Sequence, residues 1–124
     1  MNNPARPRPG GHARGTLGEE LAVEYLIKKG YQILDRNFRF ERGEIDIVAE
    51  ENGVLVFVEV KTRHSKSVGD PEDAVTIAKR DQLRKVAEGY LFERHIDDRE
   101  CRFDVVAIER ESPQVHIRHI ENAF

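Results

Sequence analysis

The chain has 124 residues and a formal net charge of −3, from 20 Lys and Arg against 23 Asp and Glu, and 39% of it is apolar. That length supports one domain with a real core, hiding roughly two-thirds of the unfolded surface, and the charge excludes a strongly basic protein that coats DNA. One cysteine, Cys101, excludes an intrachain disulfide and a cysteine-based zinc site, and the longest apolar run, Val54 to Val58, is far short of the ~20 residues that span a bilayer.

Residues 1–15 hold Pro4, Pro7, Pro9, Gly10, Gly11 and Gly15 with Arg6, Arg8 and Arg14 and no acid. Such a segment buries no face and reads as a mobile basic arm, or as an inert frayed end. It contains no apolar stretch of the signal-peptide kind, so the expected location is cytoplasmic. Residues 16–124 are expected to form a single domain.

Thr16 to Lys29 reads as the first helix, with Thr16 as N-cap, Glu19 in capping-box position and Gly30 as the stop. Gly18, Leu21, Ala22, Tyr25 and Leu26 form its buried stripe, and Glu20, Glu24 and Lys28 its solvated row. Tyr31 to Arg36 is a short strand. Glu44 to Glu50 and Val54 to Lys61 are two more, joined by Glu51-Asn52-Gly53, and Asn-Gly between apolar runs is a strong hairpin signal. After a loop from Thr62 to Gly69, Asp70-Pro71 opens a helix with a break near Thr76 that runs to about Arg94. Leu83, Val86, Ala87, Tyr90 and Leu91 are its core face. Arg102 to Glu109 and Gln114 to Ile120 are the last strands, so the order is α-β-β-β-α-β-β.

The hairpin carries the chemistry. Period-two alternation puts Glu59 and Lys61 on one face with Leu55 and Phe57, and Val54, Val56, Val58 and Val60 on the other. A two-residue Asn52-Gly53 turn places Asp46 directly opposite Glu59. Opposed side chains have Cβ atoms ~5 Å apart, and like charges there are destabilising unless something compensates them. A hard divalent cation compensates them, since Mg²⁺ takes oxygen ligands and is commonly held by one or two carboxylates. Lys61 lies one step along, placed to contact a phosphate or orient a water. The competing reading is an exposed face on which Lys61 neutralises one acid.

Glu19 alone reads as the capping glutamate. Asp104, between apolar neighbours, reads as the partner of Arg102. Basic residues gather at Arg36, Arg39 and Arg42, at Lys61, Arg63 and Lys66, and at Lys79, Arg80, Arg84 and Lys85. Local clusters of this kind bind phosphate even in a chain of negative total charge. His116 and His119 fall on opposite strand faces, and no Gly-rich phosphate loop is present.

Asp46 followed by Glu59-Val60-Lys61 resembles the PD-(D/E)xK nuclease signature, with Ile45 where that pattern often has proline. The element order is similar to the restriction-endonuclease-like core. Arg14-Gly15-Thr16-Leu17-Gly18-Glu19 is similar to the opening helix of archaeal Holliday-junction resolvases. Gly43-Glu44-Ile45-Asp46, Phe57-Val58-Glu59-Val60-Lys61-Thr62-Arg63 and Arg102-Phe103-Asp104-Val105 resemble the bacterial YraN family of predicted nucleases, over nearly the whole chain after residue 13. The resemblance implies an α/β fold with a central mixed sheet flanked by helices. It implies a metal-dependent DNA endonuclease acting on branched or recombination intermediates, with Glu19, Asp46, Glu59 and Lys61 catalytic. Mg²⁺ or Mn²⁺ would be held by Asp46, Glu59 and Glu19, and Arg14, Arg39, Arg63, Lys66 and Lys79 would contact DNA. It also implies a homodimer, because a junction resolvase cuts two strands. The alternative is a non-catalytic nucleic-acid-binding module on the same fold.

Overall fold

The computed structural model describes residues 16–64 and 69–124; the basic arm, Arg14 and Lys66 lie outside them. Thr16 caps the first helix, its Oγ1 accepting from the Glu19 N–H at 3.1 Å, and α1 runs Leu17–Lys28. Strands β1 (Gln32–Phe40), β2 (Gly43–Glu51) and β3 (Val54–His64) follow. A 3-10 turn at Pro71–Ala74 precedes α2 (Ile77–Glu93), and β4 (Cys101–Glu111) and β5 (Gln114–Ile120) close the chain. The expected break near Thr76 is real: Thr76 Oγ1 accepts from the Lys79 N–H at 3.2 Å, so a fresh N-cap starts α2 there.

The five strands form one mixed sheet in sequential order, β1-β2-β3-β4-β5. All neighbours are antiparallel except β3 and β4, which are parallel because α2 crosses between them. Each face carries one helix. Leu83, Val86, Ala87 and Tyr90 of α2 pack on Val48, Leu55, Phe57 and Val105. Ala22 and Leu26 of α1 pack on Ile47, Ala49, Val56, Val58, Val106 and Ile108, with Val54 and Val60 at the margin. The valine stripe of β3 therefore faces α1, and its Phe57–Glu59 face lies toward α2.

Three features differ from the sequence-based expectation. Strand β3 runs past Lys61 to His64, into the stretch expected as loop, because β4 pairs with it there. Strand β1 extends four residues beyond Arg36, to Phe40. Asn37 takes a left-handed conformation, φ 52°, and the strand resumes past it with Phe38 in the core under α2. On β2, alternation predicts a shared face for Ile45 and Ile47. Instead Ile45 belongs to the α2 cluster and Ile47 to the α1 cluster. The alternation breaks at Asp46.

Candidate active site

The Asn52-Gly53 turn sets the hairpin register, with both residues at positive φ, 52° and 84°, as a type I′ turn requires. The ladder runs from Glu51↔Val54 to Ile47↔Val58. Continued one step, it sets Asp46 against Glu59, the pairing expected from the sequence. There the two strands part. Residues 43–45 of β2 remain paired with β1, while Glu59 to His64 of β3 remain paired with β4. Asp46 and Glu59 stand at the fork. Asp46 Oδ2 accepts from the Val60 N–H at 2.8 Å, so the carboxylate satisfies a backbone donor that β2 no longer reaches.

Both helices bring their first turns to this fork. Gly18 allows this for α1: a Cβ there would lie 2.3 Å from Thr62 Oγ1. Gly43 lets the middle of α2 lie close over β2, where a Cβ would lie 2.4 Å from Val86 Cγ2. From α1 comes Glu19. Its carboxylate reaches Asn37 Nδ2 at 3.5 Å, and the same amide donates to Glu44 at 2.9 Å. Its N–H makes the capping bond, but its side chain turns toward the site. From α2 comes Lys79, whose Nζ lies 3.8 Å from Glu59 Oε2.

The electrostatics show how closely these groups converge. Burial, and next the Glu59 carboxylate, push Asp46 up to about 8 against the pull of the Val60 N–H, with Glu19 and Glu44 adding smaller repulsion. Burial also raises Glu59, opposed by Lys79, by Lys61 and by a side-chain hydrogen bond with Asp46. With Asp46 raised to about 8, its carboxyl carries a proton at neutral pH beside Glu59. A divalent cation here would take the place of that proton and draw ligand oxygens from both carboxylates. The donor set fits such an ion as a carboxylate pair whose remaining ligands are water and phosphate. Among the described residues no three His, Cys, Asp or Glu side chains form a ready ligand cluster. Glu19 stands next to the pair, within electrostatic range of Asp46.

The expected DNA-contacting arginines fare differently. Arg39 is 63% exposed and 3.6 Å from Glu44. Arg63 is held inward, its Nε 3.5 Å from Glu109 and a guanidinium N–H donating to the Gly69 carbonyl at 2.6 Å. Sequence reasoning missed Glu44 and Asn37. Glu44 was open to discovery, because strand parity puts it with Asp46. Asn37 gave no such signal, because its role depends on its left-handed backbone.

The profile of the Uncharacterised protein family UPF0102 matches residues 18–108. A UPF0102 protein of Alkaliphilus oremlandii is 48% identical over 112 residues, covering 89% of this chain and 96% of that protein. One of Pelobacter propionicus is 49% identical over 120 residues, covering 94% and 86%. The chain belongs to the UPF0102 family. Glu19, Asn37, Glu44, Asp46, Glu59, Lys61 and Lys79 all fall within the segment that the UPF0102 profile matches. Among solved structures, SfsA of Pyrococcus furiosus in complex with Ca²⁺ is similar at 15% identity and a TM-score of 0.36, covering 94% of this chain and 74% of that one. No helix among the described residues of this UPF0102 protein is long and apolar enough to cross a membrane.

Proposed function

We propose that this protein is a metal-dependent DNA endonuclease that hydrolyses phosphodiester bonds in branched or recombination intermediates. The observation that carries the reading is the Asp46–Glu59 pair at the fork between β2 and β3, Glu59 buried and Asp46 partly so, with Lys61 on the same strand as Glu59. Asp46 and Glu59 would hold Mg²⁺ or Mn²⁺, with Glu19 contributing through water from the first turn of α1. The ion supplies an activated water and charge stabilisation on the phosphate. The chain's own residues do the rest. Asn37 fixes Glu19 and Glu44, the Val60 N–H fixes Asp46, and Lys61 stabilises negative charge developing on the phosphate. Lys79 and Arg39 draw the backbone toward the fork. Cutting both strands of a junction calls for two copies of the chain.

The test is incubation of linear and four-way-junction DNA with the protein, with and without Mg²⁺. Strand cleavage that requires the metal is the expected result. Salt-dependent binding with no cleavage of either DNA contradicts hydrolysis and selects a non-catalytic binding module.

A further inference from the structure

A groove runs along α2 on the side facing the β1–β2 turn. Its larger part, about 970 Å³, is bounded by Arg42 of the turn and by Lys79 and Lys85 of α2. Its smaller part, about 410 Å³, shares Phe40 and Lys85 with the first and continues to Phe92. From Lys79 to Phe92 the helix rises about 20 Å at ~1.5 Å per residue, the length of roughly six stacked nucleotides at ~3.4 Å each. One end opens at the fork, since Lys79 is the residue paired with Glu59.

The lining is divided. Arg42 and Lys79 line only the part nearer the fork, Lys85 lines both parts, and no ion pair among the described residues engages Arg42 or Lys85. Asp81, also in this part, is engaged by Arg84 at 3.5 Å. The far end is aromatic. Phe92 is 80% exposed, while Phe40 is half-buried and held by close approach to Gly89. Ile77, at the other end of α2, is also 74% exposed, but Phe92 is the open aromatic ring of the helix and lines the groove. Glu88 borders the aromatic part and Glu41 lines both parts; beside the rings these carboxylates oppose phosphate and accept from base amino groups. Duplex DNA matches this division poorly. Its bases are stacked inside and its outer surface is uniformly anionic. A single strand offers phosphates and free base faces together, and stacking on aromatic rings beside a cationic track is the common mode of single-strand binding.

We propose that the α2 groove binds single-stranded nucleic acid, with phosphates at Arg42, Lys79 and Lys85 and bases on Phe40 and Phe92, leading one strand into the fork. The inference rests on the nucleic-acid reading of the site and names its substrate form as one with an unpaired strand, a flap or an open branch.

Phe92 tests it, because so exposed a side chain is truncated without loss of core. Fluorescence anisotropy of a labelled 12-nucleotide single strand and of the matching duplex, in EDTA so that nothing is cut, is the measurement. The single strand is expected to bind more tightly than the duplex, and Phe92→Ala to weaken it about ten-fold with duplex binding unchanged. Lys85→Ala is expected to flatten the salt dependence of single-strand binding, by about 0.7 in the log–log slope. Equal affinity for the two DNA forms, unchanged single-strand affinity in Phe92→Ala, or no binding of either DNA overturns the proposal; the last result leaves the groove to a protein partner. Phe92-dependent strand binding without Mg²⁺-dependent cleavage refutes the hydrolase alone. Cleavage with wild-type strand affinity in Phe92→Ala refutes the groove alone.

Discussion

Asp46→Asn and Lys61→Ala are each expected to lower Mg²⁺-dependent cleavage by about 10²–10³-fold without unfolding the protein. Asparagine retains an oxygen that accepts from the Val60 N–H, so the fork keeps its shape while the charge that holds the cation is gone. Lys61 sits on a stretch of β3 whose backbone is paired with Ala107 of β4, so truncating its side chain leaves the strand in place. The two losses should differ in kind. Asp46→Asn weakens the site for metal, so excess Mg²⁺ recovers part of the rate. Lys61→Ala leaves the carboxylates intact, so its loss falls on kcat at saturating Mg²⁺. Wild-type rates in both variants would remove the fork from the chemistry.

Asp104→Ala is expected to cost about 3–5 kcal/mol of folding stability, the usual effect of removing one partner from a buried charge network. Asp104 is fully buried. It accepts from Arg102 Nε at 3.0 Å, from the Asn122 N–H at 3.0 Å, and bonds His119 Nε2 at 2.7 Å. Burial pushes its carboxyl up, yet the bonds from His119, Arg102 and Asn122 together hold it below the usual carboxylate range. Without that carboxylate the Arg102 guanidinium and the 2% exposed His119 ring lose their shared acceptor. The chain end loses an anchor as well, loosening the stack of Phe124 on Phe103, whose centroids lie 5.0 Å apart. Denaturant unfolding measures the effect through the midpoint at constant slope. A loss under about 1 kcal/mol would mean the network is held by its other members, Tyr31 and Glu51.

Much of this was legible in the sequence because it depends on short-range rules. Asn52-Gly53 dictates a turn type, the turn dictates the register, and the register brings Asp46 to Glu59. Thr16 and Thr76 are caps with hydroxyls at the right spacing. Asp104 on an apolar face asked for a cation, and Arg102 two residues away on the same face provides it. What stayed hidden depends on tertiary packing. Strand β1 looked finished at Arg36 because three polar residues in a row, Asp35-Arg36-Asn37, break the alternation before Phe38 and Phe40 resume it. The left-handed Asn37 interrupts the alternation, and only α2 packed overhead makes Phe38 a core residue. The capping-box pattern located Glu19 in the first turn but not its side chain, which Asn37 captures across the sheet. The parting of β2 and β3 was invisible too, since each strand pairs onward with its other neighbour.

The central claim is that Asp46 and Glu59 form one divalent-cation site by surrendering the Asp46 proton. Calorimetric titration of Mg²⁺ or Mn²⁺ at pH 7, in buffers of different ionisation enthalpy, measures metal bound and protons released together. With Asp46 raised to about 8, the pair is protonated at pH 7, so binding one ion should release close to one proton. The release should fall away above about pH 9, where Asp46 is already ionised, and binding should be much weaker in Asp46→Asn. No binding heat in the wild-type protein, or identical heat and proton release in Asp46→Asn, would contradict the account.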